Sequence, residues 1–206
     1  MILKERDVMV SGKGILFPYG NPFDGYKSMS ECDYRVRILT EPRFVDDYQL
    51  GRDDKRIFSY VAFINSNTGE VFTFLRPDGK KSLYIEGQVY REDASKESIR
   101  RWGDTLKAGV MRLINKQISI FDGAEIDSPG FINFERGVNK DRFGILYVGL
   151  TSSDKAKTHS RKTKVVPVTF AGNFSLPNLE ILCENDGLDD CSKVILNALK
   201  EYDNFF

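Results

Sequence analysis

Two adjacent acids, Glu92 and Asp93, close the stretch Ile85-Glu86-Gly87-Gln88-Val89-Tyr90-Arg91-Glu92-Asp93, and a third, Asp104, follows on the amphipathic segment beyond it. Carboxylate oxygens are the ligands a hard cation such as magnesium takes, and one or two protein carboxylates suffice when phosphate oxygens complete its shell. Acids this close together could hold such a cation, and Glu92, Asp93 and Asp104 are the ones this stretch offers. Glu97, Arg101 and Asp104 also fall on one face at helical spacing, where a ladder of ion pairs accounts for them without a metal.

Other chemistry-bearing residues point away from catalysis. Ser11-Gly12-Lys13-Gly14 has the look of a phosphate loop but fails its spacing, because Asp7 and Gly14 stand where a glycine and a Ser or Thr are required. It reads as a turn. His159 is the single histidine, which excludes a catalytic histidine pair. It lies among Lys155, Lys157, Arg161, Lys162 and Lys164, a basic run without interleaved aromatics to stack bases, and it reads as a solvated loop. Asp186, Asp189 and Asp190 lack the alternating ligand order of a calcium loop and read as favourable charge near a helix N-terminus.

The candidate acids need a strand before them and a helix after them. Residues 82–85 form the strand and Gly87 the turn, while Asp93 or Ser95 can cap a helix over residues 95–114. In that helix Ile99, Trp102, Leu106, Val110 and Leu113 recur at steps of three and four, the pattern of one buried face. Gly103 and Gly109 each weaken it by about 1 kcal/mol relative to alanine, so packing must hold it.

Elsewhere residues 57–65 and 70–76 read as a hairpin across Ser66-Asn67-Thr68-Gly69, followed by a second turn at Pro77-Asp78-Gly79-Lys80. Upstream, residues 7–17 suggest one strand or two, residues 18–32 a loop anchored by aromatics, residues 33–40 a strand and residues 41–56 a polar connector. Downstream, strands are expected over 117–121, 130–135, 142–151 and 163–170, a further one over 179–183, and a terminal helix over 188–202.

The chain has 206 residues, with 30 Lys+Arg against 30 Asp+Glu. A balanced charge gives no reason to expect nucleic-acid or membrane attraction, so any anion site must be local. Three cysteines without a CxxC pair argue against a disulfide framework or zinc finger. No run approaches the ~18 apolar residues of a membrane span. A cytoplasmic location and a single domain over 1–206 are expected, with residues 1–53 as an N-terminal extension of strands and loop and residues 54–206 as the core.

Taken in order, several segments resemble the Nudix superfamily, and within it a Nudix-like group labelled phosphoesterases. Tyr60-Val61-Ala62-Phe63-Ile64 is similar to that group's early core strand, and Gly87-Gln88-Val89-Tyr90-Arg91-Glu92-Asp93 to its Gly-His-Ile-Asn-Pro-Glu-Asp loop. Gly130-Phe131-Ile132-Asn133 and Phe143-Gly144-Ile145-Leu146-Tyr147 resemble its Gly-Phe-Ile-Asn and the strand after it. Asp190-Cys191-Ser192-Lys193-Val194-Ile195-Leu196 resembles its C-terminal helix. The resemblance implies an α+β fold, a Nudix-like mixed β-sheet flanked by α-helices, with a cleft beside residues 87–93.

Counting the Nudix signature from Gly87 puts Asp93 at its first acid and Arg101 at its arginine, but Trp102, Thr105 and Leu106 stand where its remaining acids belong. A register one residue earlier places Arg100 at the arginine, Asp104 at the first of the paired acids and Thr105 at the second. By this resemblance Gly87, Arg100 and Arg101 would contact the ligand, and magnesium would sit on Glu92, Asp93 and Asp104. It implies a domain that binds a nucleotide or other phosphate-containing ligand with weak or no pyrophosphohydrolase activity. The alternatives are a non-catalytic module for a protein partner, and a magnesium-dependent hydrolase with rearranged ligands.

Overall fold

The computed structural model describes residues 7–17, 22–29, 43–46, 48–94, 102–120, 123–159 and 169–202, the side chains of 102–104 excepted. In chain order the elements are β1 (Asp7–Gly12), α1 (Lys13–Leu16), β2 (Gly25–Ser28), β3 (Arg43–Asp46), β4 (Asp54–Asn65), β5 (Val71–Leu75), β6 (Lys81–Ser82) and β7 (Ile85–Gln88). A 3-10 turn (Arg91–Asp93), α2 (Trp102–Gln117), β8 (Ile118–Ile120) and β9 (Glu125–Asn133) follow. Next come β10 (Arg142–Thr151), β11 (Ala156–Thr158), β12 (Thr169–Phe174), α3 (Leu176–Glu184) and α4 (Asp190–Glu201). The fold is α+β, a mixed β-sheet with flanking α-helices. Two compact units divide it, one of Met1–Ser59, Gly87–Arg112 and Gly130–Ile145, the other of Tyr60–Glu86, Leu113–Pro129 and Leu146–Phe206.

In the first unit, β1 pairs antiparallel with β3 (Val8↔Val45) and with β4 (Val10↔Arg56). The segment after β7 is stitched to the same strands, because the Met9 N–H donates to the Val89 carbonyl at 2.8 Å and the Val89 N–H to the Ile57 carbonyl at 3.1 Å. Phe17, Phe23 and Phe143 meet edge to face with centroids 6.0 to 6.2 Å apart, and Phe131 joins Phe143 at 5.9 Å. Strand β2 pairs with β9 from Gly25↔Asn133 to Ser28↔Gly130. Only glycine fits at position 130, since a Cβ there would lie 2.4 Å from the Lys27 carbonyl oxygen.

The start of β4 carries a lysine with a fully buried side chain. The Lys55 ammonium donates to Asn133 Oδ1 at 2.6 Å, the Phe134 carbonyl at 2.9 Å and Glu135 Oε1 at 3.0 Å. Three acceptors match the three donors of an ammonium, the condition for burying one. Burial nonetheless pushes its pKa below the usual lysine value, with the Glu135 hydrogen bond opposing.

In the second unit, β5 is flanked by β4 and β12. The β4–β5 hairpin closes where the Asn65 N–H donates to the Glu70 carbonyl at 2.9 Å, and Gly69 takes the positive φ of 69° that its turn needs. Phe63, Phe72, Phe74 and Phe170 pack as consecutive ring pairs between 5.4 and 6.3 Å. Asp189 caps α4 by accepting the Ser192 N–H at 2.9 Å, the role expected of acid at that end.

Asp186, just before α4, accepts from Lys193 at 2.7 Å and Lys80 at 2.9 Å. Those two hydrogen bonds, Lys193's first, hold its pKa down to about 2 from an ordinary 3.8. A carboxyl depressed in the folded state stabilises above its unfolded pKa and loses that contribution as pH falls through the folded one. Asp186→Asn should therefore flatten the part of the acid limb between pH 3.8 and about 2, read by thermal melts across that range.

Several sequence expectations need correction. Residues 179–183, expected as a strand, lie in α3: a short apolar run does not distinguish strand from buried helix, and Pro177 in the first turn with Ser175 at the N-cap position starts a helix. The expected loop at 18–32 contains β2, and the connector at 41–56 contains β3 and the first turn-to-strand residues of β4. Gly87 is a strand residue of β7 rather than a turn. Residues 13–16 are one helical turn, and α2 runs on to Gln117. The expected strand at 33–40 and the helix start at 95–101 lie outside the described residues. Among the described residues no helix is long and apolar enough to cross a membrane.

Candidate functional site

After β7 the backbone is drawn through Val89 and Tyr90, with Tyr90 bridged to Val8, and then closes into the 3-10 turn Arg91–Asp93. The turn is locked reciprocally. The Asp93 N–H donates to the Tyr90 carbonyl at 3.0 Å, while Asp93 Oδ2 accepts the Tyr90 N–H at 2.8 Å. This points the Asp93 carboxylate inward, leaving its side chain 3% exposed, and turns Glu92 outward.

A buried carboxylate requires a partner, and α2 supplies Arg112. Its Nε donates to Asp93 Oδ1 at 2.5 Å and its Nη2 to Oδ2 at 2.9 Å, a two-point grip in which a planar guanidinium matches a carboxylate. The same Nη2 donates to the Gln88 carbonyl at 2.8 Å, and the guanidinium lies 4.7 Å over the Tyr90 ring. One arginine thus fixes the end of β7, the turn and the helix. Gly109 makes room for it: a Cβ there would sit 3.3 Å from Asp93 Oδ2 and 3.5 Å from the Val89 side chain. The glycine that weakens the helix locally lets it approach the acid.

The sequence-predicted site residues fare differently. Gly87 lies in β7, Glu92 is exposed on the turn and Asp93 is buried in the Arg112 grip. Arg100 and Arg101 lie outside the described residues, as does the Asp104 side chain, so the Glu97-Arg101-Asp104 ladder does too. Sequence reasoning missed Arg112, which has the wrong charge for a metal ligand. Its available signal was a buried-side glycine one helical turn earlier, beside the stripe of Leu106, Val110 and Leu113.

Of the candidate magnesium ligands, only the Glu92 and Asp93 side chains fall among the described residues. No group of three His, Cys, Asp or Glu converges among them, and both Asp93 oxygens already accept charged or backbone donors. Thr105 and Leu106, on the first described turn of α2 side chains, are buried at 0% and 3% exposure. What the site does is anchor: it sets the position of the turn and the helix against β1 and β4.

No protein-family model matches the sequence, and no curated protein matches it. Solved structures do. The chain superposes on the crystal structure of Tm1382, a presumed Nudix hydrolase, with a TM-score of 0.72 at 18% identity, over 95% of this chain and 98% of that one. It also matches the Nudix domain of Shewanella oneidensis NrtR, solved with ADP ribose, with a TM-score of 0.50 at 12% identity, over 82% of this chain and 97% of that one.

Proposed function

We propose, for a chain that has the Nudix fold, that it binds a nucleotide or other phosphate-containing ligand beside residues 87–93 and has little or no pyrophosphohydrolase activity. One observation carries the loss of activity. At positions 105 and 106, where the signature places carboxylates, the side chains are threonine and leucine and face into the protein. Asp93, at the signature's first acid, is neutralised by Arg112. A site so altered lacks the clustered carboxylates that hold metal and activate water.

Retention of binding is supported by the NrtR Nudix domain holding ADP ribose on a related scaffold. Ligand binding to the folded state stabilises it by mass action, by roughly 2.7 kcal/mol at a hundredfold excess over Kd, and so raises the melting temperature. A thermal-shift and calorimetric screen of ADP ribose and other nucleoside diphosphate-linked compounds, with magnesium or manganese, is expected to find at least one that stabilises the protein. Absence of a shift with every compound, together with a stable complex with another protein, would overturn the ligand-binding reading.

A further inference from the structure

We propose that the cleft lined by Lys13, Arg52, Asp53, Asp54, Lys140 and Asp141 binds a small, multiply charged phosphate group such as pyrophosphate. Its volume of about 460 Å³ is in the range of small-molecule pockets. None of its lining residues belongs to the turn or to α2, so it stands apart from the Asp93–Arg112 site.

Charge accounting within the cleft makes it cationic. Two of its three carboxylates are already occupied: Asp54 accepts from the Arg43 guanidinium and from the Gly51 N–H at 3.0 Å, and Asp141 pairs with Arg56. Lys13, Arg52 and Lys140 have no ion pair among the described residues. Three cations then face one uncommitted carboxylate, Asp53, which leaves a net positive lining matched to an anion carrying at least two charges. A divalent cation is the poorer occupant, because guanidinium groups already cover Asp54 and Asp141. Nucleic acid is poorer too, since among the described residues no aromatic ring lines the cleft to stack a base.

The walls are held in place before any ligand arrives. The Lys13 N–H donates to the Asp53 carbonyl at 2.9 Å, the Asp54 N–H to the Gly51 carbonyl at 3.1 Å and the Arg56 N–H to the Asp141 carbonyl at 2.7 Å. The three segments that carry the cations are thereby tied to the start of β4. A preformed lining reduces the ordering cost of binding.

Calorimetric titration of the full chain with inorganic pyrophosphate at low ionic strength tests the assignment. The expected result is saturable binding at one site, weakened by about tenfold or more in Lys13→Gln/Lys140→Gln, a loss of roughly 1.4 kcal/mol or more. The Arg52→Gln variant, on an exposed side chain, should weaken it in the same direction without changing the melting temperature of the unliganded protein. No binding, unchanged binding in both variants, or tighter binding of a short single-stranded RNA than of pyrophosphate would overturn the proposal. Because the substitutions leave residues 87–112 intact, ADP ribose stabilisation in the same variants reports separately on the ligand-binding reading above.

Discussion

Arg112→Gln is expected to lower the unfolding free energy by about 3–5 kcal/mol, the cost of leaving a buried charge without its partner. The orphaned group is Asp93, whose side chain is 3% exposed and whose two oxygens both receive Arg112 donors. Glutamine also forfeits the bond to the Gln88 carbonyl and the contact with the Tyr90 ring. Urea denaturation at pH 7 reads the effect. The double variant Asp93→Asn/Arg112→Gln should recover part of the loss, because the carboxylate that needed neutralising is gone. A single-variant loss under about 1 kcal/mol, the range of an exposed pair, would mean the grip is not desolvated.

Lys55→Met should destabilise by about 3 kcal/mol, since methionine fills the volume but leaves Asn133 Oδ1, the Phe134 carbonyl and Glu135 without their shared donor. For a chain of this size that lowers the melting temperature by roughly 6–12 °C. The pH dependence gives a second signature. Burial sets the Lys55 pKa below 10.5, so between its folded and unfolded values the unfolded chain binds more protons and stability rises with pH. Wild type should gain on approaching pH 10.5 relative to Lys55→Met, and a parallel pair of curves would show that Lys55 stays fully charged.

Where local chemistry and packing agree, the residues announce their structure. The hairpin across Ser66-Asn67-Thr68-Gly69 was legible because apolar and aromatic runs flank a glycine that adopts φ 69°. Strand β10 was legible to its ends, and so was acidic charge near the start of the terminal helix, though not the capping role of Asp189. The strand over 179–183 failed because a short apolar run fits helix and strand alike, and the helix start at Ser175 and Pro177 decides for the helix. Strands β2 and β3 were hidden because their pairing partners, β9 and β1, are distant in sequence.

At the candidate site the sequence indicated the loop, which follows from residue type. It did not indicate that Asp93 would be spent on Arg112. That depends on an approach permitted by Gly109 and on the inward aim of a three-residue turn, and neither has a periodic signature. The buried Lys55 network was hidden for a like reason: its acceptors come from residues 133–135, far along the chain.

The most direct test of the central claim is phosphorus NMR of ADP ribose held at saturating concentration with the protein and excess magnesium, followed over many hours. The account predicts that the bound ligand's diphosphate signals persist, with no phosphomonoester appearing faster than in a protein-free control. Steady release of phosphomonoester that scales with protein concentration would contradict it, and would mean that the chain assembles a working metal site without carboxylates at positions 105 and 106.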